Sequence, residues 1–193
     1  HLSFGGFRSL IERIDFADGT QWDYTKLAQH YIDLASSAGD DLIYGFDIAN
    51  IHDGGTGDDR IEGMGGSDTY VYAVGYGNDT FYDTSSDAGG DTIELRGIAL
   101  DEVDFSRAGT DLVLTVRATG ETLTLDDQYN RDDSQGHAIE TFQFSDRVVD
   151  FRDLNPEDVD LVGTAASETL TGTNFSEVID GRGGDDTLIG LSD

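Results

Sequence analysis

The sequence predicts an all-β chain built as a parallel β-roll of glycine- and aspartate-rich nonapeptides, with a flanking antiparallel β cap or linker and one or two short helices. Three observations predict it: glycine and aspartate recur in nine-residue units, each unit ends in a very short strand with one apolar centre, and the group of units itself recurs. Residues 54–71 show the unit plainly as GGTGDDRIE followed by GMGGSDTYV. The first copy carries Gly54, Gly55, Gly57, Asp59 and Ile61; the second keeps Gly63, Gly66, Asp68 and Tyr70, with Met64 in place of a glycine. Glycine admits positive φ, so six residues can turn sharply and aim carbonyl oxygens at one point. The three residues after the aspartate then make a minimal strand whose central side chain faces inward. A helix could not use this pattern, because glycine at every second or third position is too costly there.

Further units lie on both sides. SSAGDDLIY (36–44) supplies Gly39, Asp41 and Ile43, and GFDIANIHD (45–53) is a degenerate unit with Asn50 and His52. VGYGNDTFY (74–82) adds Gly77, Asp79 and Phe81, and SDAGGDTIE (86–94) adds Gly89, Asp91 and Ile93. Extra residues at 72–73 and 83–85 interrupt the register. With two units per turn, six units make about three turns.

A longer period organises the whole chain. IERIDFADGTQWD (11–23) recurs as IETFQFSDRVVD (139–150), and residues 36–62 align with 163–189 at an offset of 127. His52 aligns with Ile179, which marks its position as inward-facing. The expected organisation is the C-terminal end of a preceding module at 1–35 (strands plus a short helix), a roll at 36–94, a β-rich cap or linker with a short helix at 95–160, and the start of the next roll at 161–193. The opening HLSFGGFRSL reads as mid-strand with no signal peptide, as in an excised fragment.

Outside the rolls, TDLVLTVR (110–117) and GETLTL (120–125) predict a hairpin, and AIETFQF (138–144) a strand. A helix is predicted over 24–34, with Asp23 as N-cap and Leu27, Tyr31 and Leu34 on its apolar face. Its counterpart near 151–160 carries Asn155-Pro156-Glu157, a helix-start signal, and a brief helical turn is expected at 99–104. Phe16 and Trp22 are expected to pack in the core.

Composition narrows the function. Of 40 acidic residues 31 are Asp and only 9 Glu, against 11 basic residues and a formal net charge of −29. Asp suits turns and metal loops, whereas nucleic acid would demand a basic surface; Lys26 is the only lysine. No cysteine is present, so disulfides and thiolate metal sites are ruled out. No apolar run approaches the length of a membrane-spanning helix. Hydrophobic content of 37% with 18 Phe and Tyr residues argues for a packed core despite the charge. His1, His30, His52 and His137 share no spacing that would make a zinc or catalytic cluster.

A hard cation wanting six to eight oxygens fits loops of glycine carbonyls and aspartates. The nonapeptides resemble the RTX, or haemolysin-type, calcium-binding repeat of bacterial secreted proteins, and FADGTQWD (16–23) resembles the core of the haemolysin-type calcium-binding-related domain. The second copy, FSDRVVD, lacks the Gly-Thr and the Trp, so a different turn is expected there. The metal residues expected are Gly39, Asp41, Asn50, Gly55, Gly57, Asp59, Gly66, Asp68, Gly77, Asp79, Gly89, Asp91 and Asp186. Expected pairs across stacked loops are Asp41 with Asp59, Asp59 with Asp79, Asp68 with Asp91, and a weaker Asn50 with Asp68, giving about three to four calcium ions in the 36–94 roll. A lone Gly-x-Asp is more simply a turn former, but five in one register favour a metal. Asp40, Asp58 and Asp185 are expected to face solvent. Glu168 and Glu177 replace aspartates in the last roll, putting a longer side chain at the ligand position of those two units.

The resemblance implies a calcium-binding structural repeat of a large secreted bacterial protein of adhesin, toxin or surface-layer type. Such a chain would pass a type I secretion channel and fold on calcium outside the cell. The alternative is the non-catalytic tail of a secreted protease, lipase or epimerase. No HExxH or GxSxG occurs, so no enzyme is expected in these residues. The expected partners are calcium and neighbouring repeats of the same chain; scattered Tyr and Thr leave a host-surface or glycan ligand open.

Overall fold

The structure, a computed structural model, describes residues 13–83, 90–129, 139–154, 161–172 and 178–190. It is mostly β, a parallel β-solenoid with one α-helix among the described residues. A hairpin of β1 (Ile14–Asp15) and β2 (Gln21–Trp22) leads into α1 (Tyr24–Ala35). The roll follows as β3 (Leu42–Tyr44), β4 (Ile51–Asp53), β5 (Arg60–Glu62), β6 (Thr69–Ala73), β7 (Asp79–Tyr82) and β8 (Thr92–Arg96). Next come β9 (Val103–Ala108), β10 (Asp111–Val116), β11 (Thr122–Leu125), β12 (Thr141–Gln143) and β13 (Val148–Asp150). The last strands are β14 (Leu161–Val162), β15 (Thr169–Thr171), β16 (Ile179–Asp180) and β17 (Thr187–Ile189).

Alternate units feed two sheets. β3, β5 and β7 stack in parallel with Ile43 beside Ile61 beside Phe81, and β4, β6 and β8 with His52 beside Tyr70 beside Ile93. These residues are buried, so each unit contributes its single apolar centre to a continuous column. Such short strands bury too little alone, and stacking supplies the core. Aromatic rings continue the stacking, with His52 5.2 Å from Tyr70 and Tyr70 5.2 Å from Phe81 between ring centroids.

Both sheets run on past residue 94. β11 joins β7 in parallel, placing Leu125 beside Phe81, and β12 joins β8 in parallel, placing Phe142 beside Ile93. Only beyond these strands does pairing turn antiparallel, through β10 and β9 in one sheet and β13 in the other. The predicted hairpin at 110–125 is β10–β11, with Leu114 opposite Leu123. β9 had no counterpart in the sequence reading; the expected helical turn is a 3-10 turn at Leu100–Glu102, and a strand starts right after it. β14 then pairs in parallel with β9 and with β16, so the first sheet continues into the last units. β15 and β17 form a separate parallel pair.

The helix starts as predicted, with Asp23 accepting from the Lys26 amide, but its apolar face is different. Ala28 and Ile32 are buried, whereas Tyr31 and Leu34 are 61% and 72% exposed. The helix lies against β3 and β4 at the end of the roll, and a small residue at 28 lets it approach. Tyr31, with Tyr24, packs edge-on against Phe46 instead. The 151–160 counterpart begins as a 3-10 turn at Phe151–Asp153; residues 155–160 lie outside the described residues.

The two hairpins match despite their sequence difference. Ile14 faces Trp22 in the first and Phe142 faces Val149 in the second. The Phe16 amide donates to the Thr20 carbonyl at 2.9 Å, and the Phe144 amide to the Arg147 carbonyl at 2.8 Å. The second turn is one residue shorter but closes with the same bond. Trp22 packs edge-on between Phe16 and His30, and Phe16 is 42% exposed, so this cluster lies at the surface and not in the core.

Candidate metal centre

The loops between strands stack as closely as the strands do. Gly57 and Gly77 have φ of 134° and 109°, and a Cβ on either would overlap the loop one turn earlier, at Gly39 and Gly57 respectively. Gly66, with φ of 122°, meets the backbone of Ile48 and Ala49 in the same way. Gly55 has φ of 89°; Met64 and Arg182 hold the equivalent left-handed position at 73° and 58°. An L-residue there costs about 1–2 kcal/mol, so the loop shape is imposed by the stack. Gly39 has open space around it, and Gly89 lies outside the described residues.

This stacking orders the aspartates into two ladders. Asp59 Oδ1 accepts from the Asp41 amide at 2.9 Å, and Asp79 Oδ1 from the Asp59 amide at 3.0 Å. On the other edge Asp68 Oδ1 accepts from the Asn50 amide at 2.7 Å, and Asp91 Oδ1 from the Asp68 amide at 2.8 Å. All four pairs expected from the sequence are therefore neighbours. The end residues behave differently: Asp41 accepts from the Ser37 amide and Asn50 from the Phe46 amide, each closing its own loop. In the last units Asp186 Oδ1 accepts from the Glu168 amide at 3.1 Å, and Glu168 closes its loop onto Thr164 as Asp41 does onto Ser37. Glu177 lies outside the described residues.

Asp40, Asp58 and Asp185 are exposed, as expected. Two of them form an outer ladder of opposite sense: Asp40 accepts from the Asp58 amide and Asp58 from the Asn78 amide, at 2.9 and 2.8 Å.

Two acidic residues escaped the sequence reading. Glu140 extends the second ladder, its Oε2 accepting from the Asp91 amide at 2.7 Å. Asp83 follows β7 at the position held by Gly45 and Gly63 in the two preceding turns. It is buried, and its Oδ2 accepts from the Tyr70 hydroxyl at 2.6 Å. Asp68, Asp83 and Asp91 bring carboxylate oxygens within 4.8 Å of one another. An aspartate in a glycine column was a signal, hidden because 83–85 reads as an insertion. For Glu140 no sequence signal existed, since only the fold brings β12 beside β8. A second acidic group, Asp111, Asp126 and Asp127, lies half-buried in the cap, with Arg60 paired to Asp126 at 3.1 Å.

The electrostatics fit a cation. Asp59, Asp68, Asp79 and Asp91 are buried. Asp59 Oδ2 is enclosed with no hydrogen-bond partner, tucked where Gly54 lacks a side chain. A buried acceptor without a donor costs about 1–3 kcal/mol, more when charged. Burial raises the Asp59 carboxyl above its usual range, with the Asp41, Asp40 and Asp58 charges adding. Burial, then Asp59 and its neighbours, push Asp79 up to about 7. A bound cation would reverse both effects. The donors are carboxylate oxygens framed by glycine loops, the set that suits Ca²⁺.

Residues 49–76 and 162–193 match the family model for the RTX calcium-binding nonapeptide repeat (4 copies). The chain carries RTX repeats. Residues 3–26 and 111–149 match the haemolysin-type calcium binding protein related domain, which takes in the first hairpin and nearly all of the second, while the repeat match takes in Asn50, Asp59 and Asp68 of the ladders and Asp186 of the last units. Among solved structures, the extracellular lipase LipA from Serratia marcescens is similar over 81% of this chain at 20% identity, with a TM-score of 0.28. This chain spans 24% of the lipase's length.

Proposed function

We propose that this RTX chain is a calcium-dependent structural module, a scaffold or spacer repeated in tandem within a longer secreted protein of adhesin, toxin or surface-layer type. The observation that carries the reading is the pair of aspartate ladders with the buried, partnerless Asp59 Oδ2. Ions between stacked loops would be held by Asp59 with Asp41 or Asp79, and by Asp68 with Asn50 or Asp91, with glycine-loop carbonyls completing the shell. The recurrence at an offset of 127 and the sheet that passes from β9 into β14 and β16 support a rod of modules in series.

Magnitudes explain why the metal would govern folding. Extracellular calcium modules bind with dissociation constants of about 10⁻⁴–10⁻³ M. At calcium about 100-fold above that constant each site adds about 2.7 kcal/mol. Three or four such sites rival a typical total stability of about 5–15 kcal/mol. A chain secreted from a calcium-poor compartment would thus remain unfolded until calcium reached it. Circular dichroism in chelator and then in saturating calcium tests this: the β signal should appear on adding calcium. An unchanged β-rich spectrum in chelator overturns the reading.

A further inference from the structure

The two rolls begin with the same sequence in two different conformations. IDLASS (32–37) aligns with VDLVGT (159–164) at the offset of 127. In the second copy Leu161 is a strand residue, 4% exposed, paired on one side with Ile179 of β16 and on the other with Arg107 of β9. In the first copy Leu34 stands in the last turn of α1 and is 72% exposed. The strand edge beside it makes the same hydrogen bonds with different donors. The Leu161 and Gly163 amides donate to the Val178 and Asp180 carbonyls at 3.0 and 2.7 Å. The equivalent carbonyls, of Ile51 and Asp53, accept from the side chains of Gln29, at 2.7 Å, and of Ser36. Gln29 Oε1 also accepts from the Ile51 amide at 2.9 Å, so its carboxamide stands in for a neighbouring strand. Pro156 aligns with Gln29 and carries no such group.

We propose that this end of the roll is a docking surface for the β9 edge of another copy of the module, and that docking turns the last turn of α1 into a strand of the β14 kind. The β9–β14 junction within the chain is the template: there β9 supplies the outer neighbour that residues 34–36 lack among the described residues. The change is small. Parallel pairing already reaches Ser37, opposite Gly55, so it extends back by only three residues. Ser36 is already extended, with φ of −81° and ψ of 131°. The helix end is weakly held: no basic residue lies in its last turn, and Asp33 puts a negative charge at the negative pole of the helix dipole. Conversion lays Leu34 beside His52 as Leu161 lies beside Ile179, taking an exposed leucine into the inward column. The docking edge also brings a cation to an acidic chain. In the existing junction the Arg107 guanidinium donates to the Thr171 carbonyl at 3.3 Å, and the residue equivalent to Thr171 is the exposed Tyr44. The inference rests on the tandem-module reading for its partner.

The test joins two copies in the register of the repeat, Asp150 of the first followed by Tyr24 of the second, and compares this double chain with the single one in saturating calcium. The chain has no cysteine, so Leu34→Cys in the second copy is a clean thiol probe. Its labelling should be roughly tenfold or more slower in the double chain than in the single chain. Backbone carbon shifts of residues 33–35 should change from helical to strand values. Unchanged labelling, or slowed labelling with the helix retained, overturns the proposal. Should the cysteine variant not fold, the shifts of the unaltered chains decide alone. Circular dichroism of the same two chains in chelator and in calcium tests the scaffold separately: chains already folded in chelator overturn the calcium reading and leave the labelling comparison to decide this one.

Discussion

Asp59 and Asp58 are adjacent in sequence and opposite in environment. Asp59 is 2% exposed and belongs to two rungs of the inner ladder; Asp58 is exposed and belongs to the outer one. Calorimetry should therefore show Asp59→Ala losing up to two calcium ions, while Asp58→Ala keeps the full number. Equal losses would mean the register is misassigned. Asp79 gives a pH prediction with a definite sign. Its folded-state pKa of about 7 lies above the ordinary 3.8, so between those values the metal-free roll holds a proton that the unfolded chain has released. Stability in chelator is then greatest at low pH and is lost as pH rises through about 7. Circular dichroism in chelator should show more β structure at pH 5 than at pH 8, a flat profile in saturating calcium, and a weaker pH dependence for Asp79→Asn.

At the scale of elements, α1 shows where an apolar pattern misleads. Leu27, Tyr31 and Leu34 share one face and Ala28 and Ile32 share another, and both spacings are helical. Periodicity cannot rank them; the flat end of the roll admits the smaller pair. Ile32→Ala should cost about 2–5 kcal/mol in calcium-saturated urea unfolding, and Leu34→Ala about 0.5 kcal/mol or less. The hairpins argue the reverse. FADGT and FSDR differ in length and composition, yet strand pairing and the closing bond are the same, because the flanking strands set the geometry.

For the whole molecule, the cap is part of the roll. β11 and β12 add one parallel strand to each sheet, extending both inward columns with Leu125 and Phe142; antiparallel β13 then ends the second sheet, while β10 and β9 carry the first on to β14 and β16. Open parallel edges invite other chains to pair with them. A chain cut after residue 94 should therefore fold only at higher calcium than one ending at 154, and should self-associate, as read by circular dichroism and light scattering. Equal calcium midpoints and a monodisperse short chain would show that the cap contributes no stability.

The sequence by itself determined the repeating unit, the inward residue of each unit and the pairing of its aspartates. These are local and periodic: positive-φ loops and single-residue strands leave one way to stack, so spacing translates directly into neighbours. It also placed His52 in the core, through its alignment with Ile179. Only the tertiary structure decided what non-repeating segments contribute. Asp83 carries a signal in the glycine column, but only the stack brings its carboxylate within 4.8 Å of Asp68 and Asp91, and Glu140 reaches Asp91 because β12 docks on β8 across 49 residues of sequence. Such contacts depend on where whole strands come to rest, and no local spacing encodes that.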